Sequence, residues 1–344
     1  MVTISDVAKL AHVSKMTVSR VINHPEQVSD DLKKLVYDAM EKLNYVPNYA
    51  ARALVSNRTQ VIKFLILEEM DTTEPYYMNL LAGIAKELDR NYYSFQLVTR
   101  KSMDIGQCDG MIATGVRSYD YDTILKEFSK PIILFGQSDR GYDFIDVDNE
   151  KGMRLTTRHV VSLGFEKIYF FGIDLQEPFM SARLKGYLDT VNSYGLPNYL
   201  YRMKNSSRVA ERNAKEILSN WKEKCAFVCA SDRIALGVIR AAQSLQLQIP
   251  DQVAVTGFDG VFLDRISSPH ITTIRQPVVE MGEACARMLL KKFRKMASHK
   301  GIGFLNLNCS CVRQQFMYRA ASETGCFLFS IIKAMSDKGE KTAI

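Results

Sequence analysis

Along the first forty-five residues, apolar positions recur at helical spacing in three short runs separated by cap signals. Thr3 stands three residues before Asp6, so the two can satisfy orphan amides reciprocally at the start of a helix. That helix takes in Val7, Ala8, Leu10 and Ala11, and it is short because Val13-Ser14 opens a second run with its own periodicity at Val18, Val21 and Ile22. A third run follows Ser29 as cap, with Leu32, Leu35, Val36, Ala39, Met40 and Leu43 on one stripe. The pattern predicts a compact three-helix unit.

From Gln60 onward the pattern changes. Short apolar stretches at 61–67, 110–113, 131–135, 167–172, 226–230 and 253–257 read as buried strands. Amphipathic stretches at 77–90, 149–163, 182–193, 208–220 and 232–245 lie between them as helices. Repeated β-α alternation predicts parallel sheets covered by helices on both faces, and in such sheets ligands bind beyond the carboxyl ends of the strands.

The outward face of the second helix carries Lys15, Met16, Thr17, Ser19 and Arg20, with Ser14 at its N-terminus. Free amides and the positive dipole end there suit a phosphate, while Lys15 and Arg20 can reach guanine edges or the DNA backbone. The face fits a major-groove recognition helix, and periodicity alone leaves a protein-docking bundle open. Beyond it, Pro47 can start a helix, but 48–55 supplies barely two turns, too few to be stable alone in water.

Composition narrows the picture. Forty-five Lys and Arg against thirty-eight Asp and Glu leave a net charge of +7, which fits a polyanionic partner without proving one. The longest apolar run, near 326–332, is far short of the roughly 20 residues a membrane-spanning helix needs. Asp6, Lys9 and His12 interrupt any signal-peptide core, so a cytoplasmic protein is expected. The seven cysteines are scattered and lack histidine partners at zinc spacing, so they are expected to be reduced thiols with no metal or cofactor.

The runs Val2-Thr3-Ile4-Ser5-Asp6-Val7-Ala8, Val13-Ser14, Thr17-Val18-Ser19-Arg20-Val21-Ile22-Asn23 and 43–54 (LNYVPNYAARAL) resemble the head piece of lactose-repressor-type bacterial transcription regulators. The resemblance implies that Lys15 and Met16 choose operator bases and that Arg20 is a general base-contacting arginine. It implies phosphate contacts for Ser14, Thr17, Ser19, Asn23 and Ser29, and adds Thr3, Tyr45 and Asn48 to the DNA-facing set. His12 departs from it, standing in the turn where such regulators commonly have glycine; histidine tolerates the left-handed conformation better than most residues. Leu54 would enter the minor groove as an apolar wedge between base pairs, with a linker leucine packed on the sensor as the alternative.

The resemblance continues, more loosely, through 146–149, 183–187, 230–237, 255–259 and 269–277. It implies an all-α helix-turn-helix head piece followed by an α/β two-lobed periplasmic-binding-protein-like sensor with parallel sheets. The expected division is 1–45 for DNA binding, 46–58 for a hinge, and 59–315 for effector binding and dimerisation. The first lobe takes 59–147 and 277–300, the second 148–275 and 301–315, with a last strand at 305–315. Residues 316–344 form an atypical tail without a sustained heptad. The segment 68–76 lacks the Asn-Pro-Phe that such regulators often place after the first strand.

Carried over by position, Arg183 and Asp259 are expected to clamp the vicinal hydroxyls of a sugar, unless they pair across the lobes or simply decorate strand ends. Ser231 is a third candidate, and Tyr76, Tyr77, Phe135 and Gln137 fall near strand ends where a sugar could stack or hydrogen-bond. No Gly-rich phosphate loop, nucleophile elbow or metal cluster points to an enzyme. A sugar-binding transport component would share the sensor but not the head piece. The expected partners are pseudo-palindromic operator DNA, a sugar or sugar-phosphate effector, and a second copy of the chain in a homodimer.

Overall fold

The computed structural model describes residues 2–23, 27–45, 58–68, 75–101, 106–220, 223–298, 333–335 and 342–343. Its contacts divide the chain into two units, Met1–Gln60 and Val61–Ile344.

The first unit contains α1 (Ile4–Leu10), α2 (Lys15–Asn23) and α3 (Asp30–Lys42). The Asp6 carboxylate accepts the Thr3 amide at 2.9 Å and the Thr3 hydroxyl at 2.7 Å, so the predicted cap at the start of α1 is present. The turn after α1 closes with the Val13 amide on the Ala8 carbonyl at 3.0 Å, and His12 takes the left-handed conformation at φ +52°. Asn44, at φ +47°, closes α3 the same way. Val7, Val18, Val21 and Val36 are fully buried at the centre. Two expectations fail here. Leu35 is 53% exposed, because it lies a third of a turn off the line of Val36, Ala39 and Met40. Ser29 stands at the N-cap of α3, yet its hydroxyl makes no capping bond; Lys33 instead pairs with Asp30.

The second unit is built on two sheets. The first runs β2 (Ser94–Thr99), β1 (Val61–Ile66), β3 (Gly110–Thr114), β4 (Ile132–Phe135) and β5 (Phe144–Asp146), all parallel. The second runs β7 (Tyr199–Met203), β6 (Lys167–Ile173), β8 (Cys225–Cys229), β9 (Val253–Asp259) and β10 (Thr272–Arg275), also parallel. The central strands β3, β4 and β8 are buried at every residue, as expected of parallel strands covered on both faces. The edge strands β2 and β7 are largely exposed. They carry no continuous apolar run, which is why β2 and β7, like the short β5 and β10, escape the hydrophobic pattern.

The longer helices are α4 (Tyr76–Arg90), α5 (Asn149–Ser162), α6 (Pro178–Ser193), α7 (Ser207–Leu218), α8 (Asp232–Ser244) and α9 (Val278–Ser298). Helix α6 begins four residues before the expected start, with Pro178 in its first turn. After β10 the chain leaves the second sheet at Gln276-Pro277, and α9 packs on α4 and on β3, β4 and β5 of the first sheet. The expected last strand at 305–315 lies outside the described residues. Of the tail, β11 (Lys333–Met335) pairs antiparallel with β5, and β12 (Thr342–Ala343) pairs with β11, so both extend the first sheet rather than stand apart from it.

Three helix pairs pack at glycine. A Cβ on Gly83 of α4 would strike the Val279 carbonyl of α9, one on Gly186 of α6 the Glu150 carbonyl of α5, and one on Gly237 of α8 the Ser207 carbonyl of α7. The described cysteines, Cys108, Cys225, Cys229 and Cys285, are buried free thiols, and burial raises the pKa of each. No helix among the described residues is long and apolar enough to cross a membrane.

Gly83→Ala must push α4 and α9 apart. Overpacking of this kind costs about 1–3 kcal/mol, so the melting temperature of the sensor unit should fall by roughly 2–12 °C in calorimetry. An unchanged melting temperature would mean that the helices are not held at this distance.

Candidate functional site

Each unit contains one candidate site. In the first, Ser14 caps α2 by accepting the Thr17 amide at 3.0 Å, and its hydroxyl meets that of Thr17 at 2.8 Å. Lys15, Met16 and Arg20 are exposed, Met16 to 70%, while Thr17 and Ser19 are half-buried at the edge of the same face. An apolar side chain that open on a helix whose other face supplies the fully buried Val18 and Val21 has no packing role within this unit. Thr3 is exposed beside Asp6, Ser29 is exposed at the start of α3, and Tyr45 is half-buried against the unit's core. The Asn23 side chain, Asn48 and Leu54 lie outside the described residues.

In the second unit, a cavity of about 230 Å³ opens at the carboxyl ends of both sheets. Arg183, Asp259, Ser231, Tyr76, Tyr77, Phe135 and Gln137 all line it, brought together from five separate strand ends or helix starts. The convergence follows from the topology, since every strand of β1 and β3–β10 points its carboxyl end the same way within its sheet.

Buried carboxylates at those strand ends form the frame. Asp146, closing β5, accepts the Val147 amide at 2.7 Å, the Gln137 amide at 2.9 Å and the Asn149 amide nitrogen at 3.1 Å. Asn149 passes the connection on, accepting Arg183 Nε at 2.8 Å, and Arg183 Nη1 donates to the Ala230 carbonyl at the end of β8 at 2.5 Å. The guanidinium lies 3.7 Å from the centre of the Phe258 ring. Asp232 accepts Thr273 Oγ1 at 2.6 Å and the Gly260 amide at 2.8 Å. Asp120, fully buried, takes a two-pronged contact from Arg100 at 2.9 Å on each oxygen and the Arg117 amide at 2.8 Å.

The geometry assigns the expected residues unequal freedom. Two of the three Arg183 nitrogens hold the frame, leaving Nη2 without a partner among the described residues. Asp259 is likewise engaged, accepting Gln276 Nε2 at 2.9 Å and the Asp232 amide at 3.3 Å, and its backbone sits at the sparsely populated φ of +154°. Ser231 caps α8 through the Ile234 amide at 3.2 Å and donates to Asn205 at 2.7 Å. Tyr76 donates to Gln276 at 3.0 Å and Tyr77 to Glu68. Gln137 alone of this set keeps a side-chain amide with no partner among the described residues.

Burial dominates the electrostatics. It lowers the Arg183 pKa, against the pull of Asp259 and Asp146, and raises that of Asp146 against its backbone donors and Arg183. It also pushes the Tyr76 hydroxyl well above its ordinary value, with Asp259 and Asp146 adding to the rise. Among the described residues, no group of three or more His, Cys, Asp or Glu could hold a metal ion.

Residues 3–48 match the family model of bacterial regulatory proteins of the lacI family, and residues 157–302 match that of the periplasmic binding protein-like domain. The HTH-type transcriptional regulator YvdE of Bacillus subtilis (strain 168) is 65% identical over 301 residues, covering 88% of this chain and 95% of that one. The chain belongs to the LacI family. Its fold agrees with two solved LacI-like structures, each 25% identical with a TM-score of 0.64 and covering 86% of this chain and 94% of that chain: a transcriptional regulator CelR–cellobiose complex, and a lac repressor dimer bound to operator and the anti-inducer ONPF. As a LacI-family member the protein is a DNA-binding transcription regulator.

Sequence reasoning missed several residues of this LacI-family cavity: Glu68, Arg117, Tyr121, Glu177, Phe179, Asn205 and Gln276. Arg117 lies in a turn after β3, and Glu177 and Phe179 at the start of α6, where the expected helix began later. Only the Pro178 signal at the first helical turn could have drawn attention to them. Asn149→Ala would leave Arg183 Nε unpaired in the interior and take from Asp146 one of the two donors to its Oδ2. A loss of about 3 kcal/mol is expected, a fall of roughly 6–12 °C in the sensor melting temperature, and a fall under about 2 °C would show that this chain of bonds is not structural.

Proposed function

We propose that this protein is a homodimeric, repressor-type regulator that reads a pseudo-palindromic operator with the α2 face and takes a small-molecule effector, a sugar, into the sensor cavity. The observation that carries the effector reading is the cavity at the carboxyl ends of both sheets. It combines aromatic faces, buried carboxylates and two unengaged donors, Gln137 and Arg183 Nη2. Carbohydrates present apolar ring faces and directional hydroxyls, which such a lining matches. The cellobiose complex of the similar CelR structure supports the same class.

Arg183 and Asp259 then act less as a free clamp than as a rigid rim, since most of their bonding capacity is already spent on the frame. An effector that bonds to groups of both sheets at once favours one lobe arrangement over another and so shifts the population competent to hold DNA. The hinge at 46–58 transmits that shift: its two copies order against each other on the operator, and Leu54 enters the minor groove as a wedge. Operator binding places the protein in the cytoplasm. A transport component with the same sensor would have no use for the exposed Lys15, Met16 and Arg20, and it would retard no duplex in a mobility-shift assay.

Arg20→Ala should weaken specific operator binding by roughly 5- to 150-fold, the equivalent of about 1–3 kcal/mol for a good base contact, with an unchanged melting temperature. Fluorescence anisotropy on an operator duplex checks this, and wild-type affinity in the variant would remove α2 as the reading helix. Gln137→Ala should weaken effector binding about tenfold in calorimetry while sparing operator affinity in the absence of effector. Unaltered effector affinity would move the site away from this end of the cavity.

A further inference from the structure

The charges around the sensor cavity do not suit every sugar. Four carboxylates line it (Glu68, Asp146, Glu177 and Asp259) against two guanidinium groups, Arg117 and Arg183, an excess of two negative charges (4 − 2) among the described residues. Neither arginine offers an anion a whole guanidinium: Arg117 is paired with carboxylates, and Arg183 keeps only Nη2 unbonded among the described residues. Arg117, held after β3 by the hydrogen bond from its backbone amide to the Asp120 carboxylate, reaches Glu177 beside the second sheet at 3.0 Å and Glu68 beside the first at 3.4 Å. Tyr77 donates to the same Glu68. Arg183 is bonded to Asn149 and Ala230, and the carboxylates of Asp259 and Asp146 favour its charged form against burial.

Two of the helix ends at the cavity are closed to an anion as well. The positive end of a helix dipole is the usual place for a phosphate. Helix α6 has Glu177 at its N-cap and Pro178, which lacks an amide hydrogen, at its start. Helix α8 has Asp232 in its first turn, and its capping position is already filled by Ser231. Both positive ends are thus complemented by the protein's own carboxylates.

We infer that the effector is an uncharged saccharide, and that Glu68 and Glu177 are specificity determinants which neutralise Arg117 and exclude phosphorylated and acidic sugars. Like charge built against the wrong ligand is a common route to such discrimination. Hydroxyl groups, by contrast, can donate to Asp146 and accept from Gln137 and Arg183 Nη2. The Arg117–Glu177 pair also joins the two sheets across the cavity, so the groups that select the ligand also bridge the lobes that enclose it.

The inference rests on the cavity being the effector site, and the experiment separates the two. Titration calorimetry on the full-length protein compares neutral mono- and disaccharides (glucose, maltose, cellobiose) with glucose 6-phosphate, glucuronate and the purine base hypoxanthine. A neutral saccharide should bind at least about tenfold more tightly than any charged one, and its binding should weaken in Gln137→Ala. Tighter binding of glucose 6-phosphate or glucuronate, still weakened by Gln137→Ala, would keep the cavity as the site and overturn the charge selection, and tighter binding of the neutral base hypoxanthine would overturn the saccharide class. Binding that Gln137→Ala leaves untouched would instead remove the cavity reading. Glu177→Gln should raise the affinity for glucose 6-phosphate relative to the neutral sugar by about tenfold, and an unchanged ratio overturns the role of Glu177. If that variant fails to fold, the wild type decides: residual glucose 6-phosphate binding should strengthen with added salt as repulsion is screened, and weakening with salt overturns the inference.

Discussion

The chain of bonds from Asp146 through Asn149 and Arg183 to the Ala230 carbonyl carries the sensor. It starts at the last parallel strand of the first sheet, follows the segment by which the polypeptide first crosses to the second, and ends at a central strand of that second sheet. A guanidinium buried to 5% exposure needs every donor accounted for, because an unpaired charge in the interior costs several kcal/mol. Here the Phe258 ring, Asn149 and Ala230 take most of it. One nitrogen, Nη2, has no partner among the described residues, so the same side chain is a structural tie and, in the proposed function, a ligand donor.

Around that tie, the cavity is a product of parallel topology. Strands of one polarity bring their carboxyl ends to one side, and the helices that follow begin there, capped by Asp148, Ser206 and Ser231. Caps, buried carboxylates and ligand-facing groups therefore occupy the same rim. This explains why Ser231, singled out from the sequence for the ligand, is found bonded to Ile234 and Asn205. Close helix packing at Gly83, Gly186 and Gly237 holds the layers behind the rim near enough for such bonds to form.

The head piece obeys a more local logic. Asp6 and Ser14 fix where α1 and α2 begin, and His12 supplies the left-handed turn between them. With caps and turn satisfied, α2 has no need of Lys15, Met16 or Arg20 for its own stability. Those side chains stay exposed, as the proposed operator-reading face requires.

Much of this was legible in the order of residues, because helix caps, turns and apolar periodicity are short-range. The three head helices, the outward Lys15-Met16 face and the buried strands β1, β3, β4, β6, β8 and β9 declare themselves within a few residues each. Leu35, at nearly the right spacing, shows the limit of that reasoning, since a fraction of a turn decided its exposure. The edge strands β2 and β7 were hidden because their pairing comes from a neighbouring strand and not from their own hydrophobicity. Arg117 and Glu177 could not be recognised at all from sequence: sixty positions separate them, and only the approach of the two sheets makes them a pair. The sequence by itself determined what kind of regulator this is. Tertiary structure alone decided which of its charges are free to meet a ligand, because charge neutralisation in the interior depends on distance in space.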